Sequence, residues 1–149
     1  DRKEAKELID GYFETYPSVK AYMEKSIQIA QEKGYVETIF HRKRFLPDIN
    51  SRNAVVRGYA ERNAINAPIQ GSAADIIKVA MARIYQRFQT EGIQAKMILQ
   101  VHDELNFSVP VKEKERVEEI VIEEMEHAYR MHVPLKADCG WGKNWLEAH

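Results

Sequence analysis

Apolar residues recur at helical spacing in the first part of the chain and predict two helices separated by a proline. The first helix ends near "TYP", and Pro17 begins the second, because proline suits the first helical turn. Gly34 is a natural terminator for the second helix, since glycine readily adopts the left-handed conformation of a C-cap. The apolar positions are Ala5, Leu8, Ile9, Tyr12 and Phe13 in the first helix, and Val19, Tyr22, Met23, Ile27 and Ile29 in the second.

The middle of the chain predicts a small β-hairpin followed by two helices. In "YVETIFHRKRFLPDI", β-branched and aromatic residues flank a basic turn, and Pro47 ends the second strand. Residues 52–67 have helical composition; Pro68 closes that helix and suits the first turn of the next, which Gly92 stops. A broad apolar face indicates that the later helix is central and buried. It comprises Ile76, Ile77, Ala80, Met81, Ile84 and Phe88.

The last third of the chain predicts two strands, a helix and a final strand. Strand-like runs at 95–101 and 104–109 precede an acidic amphipathic helix at 112–131, and the short strand "VPLKADC" leads to "GWGKNW". The expected fold is therefore α+β: an antiparallel sheet, made of a hairpin and a C-terminal strand, packs against several helices, and the earlier hairpin is separate. The acidic helix turns inward Val117, Ile120, Val121, Met125 and Ala128.

Composition fits one globular domain, or part of one, spanning residues 1–149, with 44% hydrophobic and 30% charged residues. No apolar run approaches the ~20 residues of a membrane span. The single Cys139 excludes an internal disulfide and favours a reducing, cytoplasmic setting.

Charge is unevenly distributed along the chain. The net charge is −1, but basic residues dominate 41–62 and seven glutamates lie within 111–131. A locally basic surface suits a protein that grips a phosphate backbone, and it also fits an ordinary solvated surface.

The stretch "LQVHDELNFSV" places three ionisable side chains at a predicted tight turn. If Val101 pairs with Glu104, His102 and Asp103 are the two loop residues, where such turns favour Asn-Gly or Asp-Gly. Positions that break turn rules are often functional or strained. Adjacent carboxylates of Asp103 and Glu104 on a rigid, exposed tip would be hard oxygen ligands for Mg²⁺ or Mn²⁺. The alternative is an exposed turn with solvated charges.

A second pattern lies in "ERNAINAPIQG", where Arg62, Asn66 and Gln70 recur every four residues on one helix face, bent at Pro68. All three side chains carry hydrogen-bond donors. The DNA minor groove presents acceptors at every base pair and distinguishes sequences poorly, so this donor row could hold any correctly shaped duplex. A polar stripe facing solvent is the alternative.

Together, "RNAINAPIQGSAADIIKVAM" and "LQVHDEL" strongly resemble the C-terminal part of family A DNA polymerases, in particular the bacterial ones. The resemblance extends over the whole chain, from "YVETIF" and "RKRFLPDI" to "GKNWLEAH". It implies a DNA-directed DNA polymerase that extends a primer on a DNA template by two-metal nucleotidyl transfer, in bacterial replication and repair. The implied partners are primer–template DNA and deoxynucleoside triphosphates, with no membrane, and the implied cofactor is a pair of Mg²⁺ ions that Mn²⁺ can replace.

The same resemblance implies a role for each candidate residue. Asp103 matches the motif C aspartate of the palm, one of two essential carboxylates that hold the metal ions, and Glu104 matches an acidic neighbour that assists it. His102 matches a histidine near the primer terminus. The minor-groove helix is matched by Arg62, Asn66 and Gln70.

The resemblance also implies that parts of the enzyme lie outside this sequence. The chain begins without Met, inside an amphipathic helix, as a piece of palm and lower fingers would. The second catalytic aspartate (motif A) and the fingers helix that binds nucleotide precede this region in the family. We therefore expect no polymerisation by the chain alone. We also expect a gap in its sheet, filled either by a strand near Leu135 that pairs with the hairpin or by self-association with a second copy.

Three other functions are compatible with the residues. A sequence-independent nucleic-acid-binding module would bind duplex in a salt-dependent way without incorporating nucleotides. A metal-dependent hydrolase could use His102, Asp103 and Glu104, although the other histidines fall on separate elements without ligand spacing: His41, His127, His132 and His149. A purely structural domain would require both patterns to be accidental.

Overall fold

The computed structural model describes residues 1–148, so His149 lies outside the described chain. The chain forms two compact units, one comprising Asp1–Ser72 and the other beginning at Ala73. The first unit contains helices α1 (Arg2–Thr15) and α2 (Pro17–Lys33), strands β1 (Tyr35–Glu37) and β2 (Lys43–Phe45), and the first part of helix α3 (Ala54–Glu91).

The second unit contains the rest of α3 and the C-terminal elements. Strands β3 (Lys96–Val101) and β4 (Glu104–Ser108) form an antiparallel hairpin. A 3₁₀ turn (Val111–Glu113) leads into helix α4 (Lys114–Glu126), and a single helical turn, α5 (Trp145–Ala148), follows.

Local chemistry sets the first boundaries as the sequence predicts. Pro17 occupies the start of α2, and Gly34 ends that helix with φ of +78°, where its N–H bonds the Ala30 carbonyl. The predicted hairpin is also present, because β1 and β2 pair antiparallel with Val36 opposite Arg44. The core of this unit is formed by Ala30, Val36, Leu46, Ile49, Ala60 and Ala64.

Helix α3 corrects the prediction of two helices meeting at Pro68. One continuous helix runs through that proline. An interior proline removes one backbone hydrogen bond and costs about 3 kcal/mol, so packing must offset it. Buried side chains on both sides of Pro68 supply that packing: Ala60 and Ala64 in the first unit, and Ala80, Ile84 and Phe88 in the second.

The core of the second unit joins α3, the β3–β4 hairpin and α4. Ile84 and Ile120 are fully buried, and the rings of Phe88 and Phe107 meet edge to face with centroids 5.9 Å apart. The inward positions predicted for the acidic helix all belong to this core. The hairpin therefore rests on a closely packed base.

Two predictions about the C-terminal part are wrong. The acidic helix ends at Glu126 rather than near residue 131, and the His127 carbonyl accepts a hydrogen bond from Arg83 Nη1 instead of from a further helical turn. The strand expected in "VPLKADC" does not form: in the described chain β3 and β4 pair only with each other. Pro134 has no N–H to donate, and the Ala137 N–H donates to the Glu126 side chain.

The predicted α+β class is confirmed, with helices and two antiparallel hairpins. The absent C-terminal strand also removes the predicted pairing of a Leu135 strand with the hairpin. That residues 1–149 are a single partial domain, and that two copies associate, stay predictions. Among residues 1–148, no helix combines the length and apolar character needed to cross a membrane.

Candidate active site

The turn of the β3–β4 hairpin has the predicted geometry. Val101 pairs with Glu104, which leaves His102 and Asp103 as the two turn residues. His102 has φ of +54°, in the region that favours glycine, and its carbonyl accepts a hydrogen bond of 3.0 Å from Gln100 Nε2. The chain thus keeps a histidine where turn chemistry alone would select a smaller residue.

The strands below this turn hold it on the core. Leu105 and Phe107 pack against the core of the second unit, and Phe107 lies opposite Met97 in the strand register. A bulge between Met97 and Leu99 shifts the register of β3 by one residue. At the base, Glu113 Oε2 accepts the N–H groups of Gln94 and Ala95, which fixes the start of β3.

The two carboxylates at the turn have different surroundings. Asp103 is exposed, as predicted, and within the described residues its carboxylate makes no hydrogen bond or ion pair. Glu104 is half-buried, and its Oε1 accepts hydrogen bonds of 2.9 Å from Asn106 Nδ2 and 2.7 Å from Trp145 Nε1. The site therefore combines an accessible carboxylate with a neighbour that is held in place.

The chemistry of these donors fits a hard divalent cation. Mg²⁺ takes one or two carboxylates and completes its shell with water and substrate phosphate oxygens. Asp103 and Glu104 can supply that number of oxygens. Residues 1–148 contain no cluster of three or more His, Cys, Asp or Glu side chains that could hold a metal ion by themselves.

The predicted donor row lies on helix α3 in the first unit. Arg62, Asn66 and Gln70 are exposed, and their four-residue spacing places them along one side of the helix. Ala60 and Ala64 turn into the core of that unit, which leaves the row outside it. The Arg62 guanidinium lies 5.9 Å from the centre of the Tyr59 ring, and the amides of Asn66 and Gln70 donate no hydrogen bond to any described residue.

The first unit also carries the predicted basic surface. Arg42, Lys43 and Arg44 are exposed at and beside β2. Lys43 Nζ lies 4.4 Å from the centre of the Tyr35 ring, and Arg42 Nη2 donates to the Gly71 carbonyl. The six predicted site residues thus form two groups, with His102, Asp103 and Glu104 adjacent on one hairpin and the donor row on one helix.

The chain matches a known protein family over nearly its whole length. The model of DNA polymerase family A matches residues 1–147. The chain is a member of DNA polymerase family A. DNA polymerase I of Bacillus caldotenax is 54% identical over 147 residues, and that of Lactococcus lactis strain IL1403 is 50% identical over 147 residues. In both cases the match covers 99% of this chain and 17% of the relative.

A solved structure has the same fold as this chain. The POL domain of Pol1 from M. smegmatis, in complex with DNA primer-template and dNTP, matches with a TM-score of 0.97 and 43% identity. The match covers 99% of this chain and 26% of that one. The predicted family membership is therefore confirmed, and the roles assigned to individual residues of this family A chain stay predictions.

Sequence reasoning missed Asn106 and Trp145, the two donors to Glu104. Trp145 lies 41 positions from Glu104 along the chain, so no local pattern relates them. One local pattern in the sequence does predict the helical turn that begins at Trp145. Asn144 is followed three residues later by Glu147, which is the spacing of a capping box.

Proposed function

We propose that this chain is the catalytic-hairpin segment of a DNA-directed DNA polymerase that extends a primer on a DNA template. The observation that carries the proposal is the exposed Asp103 carboxylate beside the held Glu104, on a hairpin fixed to the core of its unit. The family match supports it, and so does the likeness to the M. smegmatis POL domain, which is in complex with DNA primer-template and dNTP.

Asp103 and Glu104 are the residues that would hold Mg²⁺, or Mn²⁺ in its place. A pair of Mg²⁺ ions, when bound, supplies activation of the primer 3′-hydroxyl and charge stabilisation on the leaving pyrophosphate. Asp103 provides the ligand oxygens, and Glu104 assists from the adjacent position. His102 orients the primer terminus from the same turn.

The donor row on α3 binds the minor groove of the primer–template duplex. Arg62, Asn66 and Gln70 are exposed at helical spacing, and donors along such a row match acceptors that occur at every base pair. The row thus favours correct duplex shape over any particular sequence. The exposed basic residues of the first unit add sequence-independent attraction to phosphates.

The chain by itself is proposed to bind duplex without extending a primer. It contains one motif C aspartate, whereas family A catalysis is expected to use a second aspartate and nucleotide-binding residues that this sequence does not contain. Deoxynucleoside triphosphates would bind through those other residues. The proposed setting is the bacterial cytoplasm, where the chromosome is replicated and repaired.

The proposal can be tested by measuring primer extension and duplex binding by a chimeric enzyme. In this enzyme, residues 1–147 replace the matching segment of Bacillus caldotenax DNA polymerase I. The chimeric enzyme should extend a primer, and Asp103→Ala should abolish extension while duplex binding stays nearly intact, because phosphate and groove contacts remain. Asp138→Ala, which removes an exposed carboxylate from the same unit, is the matched control and should change neither quantity.

Two results would contradict the proposal. One is a folded chimeric enzyme that does not extend a primer. The other is an Asp103→Ala variant that extends within about tenfold of the unmodified chimeric enzyme, since loss of a metal-holding carboxylate should reduce transition-state stabilisation far more.

A second candidate, a duplex-binding module without catalysis, is favoured by one observation. The donor row and the basic residues belong to the first unit and need no carboxylate from the hairpin in order to bind. Salt-dependent duplex binding by the chain, together with a chimeric enzyme that is folded but inactive, would support this alternative.

A further inference from the structure

The Glu104 carboxylate is bound from two parts of the second unit. Asn106 Nδ2 reaches Oε1 from the same strand at 2.9 Å, and Trp145 Nε1 reaches the same oxygen at 2.7 Å from the C-terminal turn α5. Hydrogen bonds to a carboxylate are stronger than neutral ones, and two donors at one oxygen restrict rotation of the side chain. The orientation of Glu104 therefore depends on where Trp145 is held.

Trp145 is held because α5 is capped at its start. Asn144 Oδ1 accepts the Glu147 N–H at 3.1 Å, while the Glu147 carboxylate accepts Asn144 Nδ2 at 2.8 Å and the Lys143 N–H at 3.0 Å. Reciprocal bonds of this kind satisfy donors that a helix start otherwise leaves unpaired. They fix a turn that is too short to be stable from helix propensity alone.

Close backbone approach also seats this turn. A Cβ on Gly142 would lie 2.5 Å from Glu147 Cβ, and a Cβ on Gly140 would overlap the Ala148 carbonyl oxygen. The two glycines thus let residues 147 and 148 fold back against the segment that precedes them. The backbone and the capping bonds together place the Trp145 indole beside Glu104.

We infer that Trp145 is a positioning residue for the proposed polymerase site, and that Gly140 and residues 142–148 form a brace that orients the Glu104 carboxylate through the Trp145 indole N–H. The inference rests on the proposed function for its catalytic consequence, but the brace itself can be tested without activity. In this role Trp145 touches neither substrate nor metal, because it acts through Glu104.

The chain contains a matched internal control. Trp141 Nε1 donates to Glu118 Oε2, also at 2.7 Å, and this acceptor lies on helix α4 rather than on the hairpin. Two-dimensional ¹⁵N–¹H spectra of the chain should show two indole signals, which Trp141→Phe and Trp145→Phe assign. Glu104→Gln should then shift the Trp145 signal alone, and Glu118→Gln should shift the Trp141 signal alone.

Gly140→Ala tests the brace from its other end. This variant leaves Trp145 and Glu104 unchanged but displaces α5, so it should move the Trp145 indole signal in the direction that Glu104→Gln moves it. The brace is refuted if Glu104→Gln leaves the Trp145 signal in place, or if it shifts both indole signals equally.

Kinetics of the chimeric enzyme test the catalytic consequence. Trp145→Phe keeps an aromatic side chain but removes the indole N–H donor. It should lower kcat roughly tenfold, as loss of partners that orient metal-holding side chains does. The KM values for primer–template and nucleotide should stay within about twofold, because no substrate contact is removed. Trp141→Phe should leave kcat unchanged. An equal fall in the kcat of both variants would overturn the positioning role of Trp145. An unmodified chimeric enzyme without activity would count against the proposed function, and the spectra would then show by themselves whether the brace exists.

Discussion

At the scale of single residues, His102 occupies a backbone conformation that its side chain does not favour. Left-handed φ costs a non-glycine residue about 1 kcal/mol or more, and β-branched residues suffer most. We expect the free energy of unfolding of His102→Gly to lie within about 1 kcal/mol of that of the unmodified chain. Relief of backbone strain stabilises the variant, whereas the conformational entropy that glycine adds to the unfolded chain destabilises it. His102→Val should be clearly less stable. Urea denaturation of the chain measures both.

The same pair of variants separates folding from function. If His102 orients the primer terminus, His102→Gly should impair extension in the chimeric enzyme even though the hairpin still forms. A glycine variant that extends at the unmodified rate would show that the histidine is dispensable at this position.

Asn66 and Gln70 should contribute to duplex binding at every sequence alike. Each alanine variant removes groove hydrogen bonds worth roughly 1 kcal/mol net, which is about a fivefold loss of affinity. Affinity for primer–templates of different terminal pairs measures the effect, and Gln86→Ala, an exposed amide later on the same helix, is the control. A loss confined to particular base pairs would contradict minor-groove binding by this row.

At the scale of elements, local signals predicted boundaries well where a single residue decides them, as Pro17 and Gly34 do for α2. They failed where packing decides. Pro68 lies inside a helix because both halves of α3 bury apolar residues, and the run around Leu135 has strand composition but no partner strand within the described chain. The contact between Trp145 and Glu104 is a product of the folded chain, which explains why sequence alone predicted the hairpin but not what orients the Glu104 carboxylate.

The contact between the first hairpin and α3 depends on Gly71. A Cβ there would lie 2.7 Å from Thr38 Cγ2, and Thr38 cannot easily turn away because its hydroxyl accepts the N–H groups of Phe40 and Arg42. Gly71→Ala should therefore destabilise the first unit by about 1–3 kcal/mol through overpacking. Thr38→Ser, which removes the obstructing methyl group, should recover much of that loss in the double variant.

Gly11 provides the matched control for that substitution. It lies in helix α1, and a Cβ at this position would meet no atom within 4 Å. Gly11→Ala should leave stability unchanged or raise it by up to about 1 kcal/mol, because alanine favours the helix. If Gly71→Ala and Gly11→Ala change the free energy of unfolding equally in denaturant titrations, close packing around Gly71 does not destabilise the alanine variant.

At the scale of the whole molecule, the charge pattern places ion pairs where helices meet in the second unit. Arg87 Nη1 contacts Glu123 and Glu124, and Arg116 on α4 contacts Glu91 at the end of α3 and Glu119. The hydrogen bond from Arg116, followed by that from Arg87, lowers the pKa of Glu91, and the hydrogen bond from Arg87 lowers the pKa of Glu123. The hydrogen bond to Glu123 raises the pKa of Arg87, and the hydrogen bond to Glu91 raises the pKa of Arg116. The acidic face of α4 is thus partly neutralised by two arginines.

This network predicts how stability depends on pH. A carboxylate whose pKa is lower in the folded state stabilises the fold fully above its unfolded pKa, near 4.3 for glutamate, and loses that stabilisation as pH falls through the folded pKa. The melting temperature of the chain should therefore be steady near neutral pH, and it should decrease at pH values below about 5 as Glu91 and Glu123 take up protons.

Two arginine variants test this prediction. Arg87→Met should lower the melting temperature at pH 7 and flatten its decline in acid. Arg83→Met removes an arginine that donates to the His127 carbonyl instead of to a carboxylate, so it should lower the melting temperature by the same amount at every pH. If the two variants show parallel curves, the ion pairs of Arg87 do not contribute to acid sensitivity.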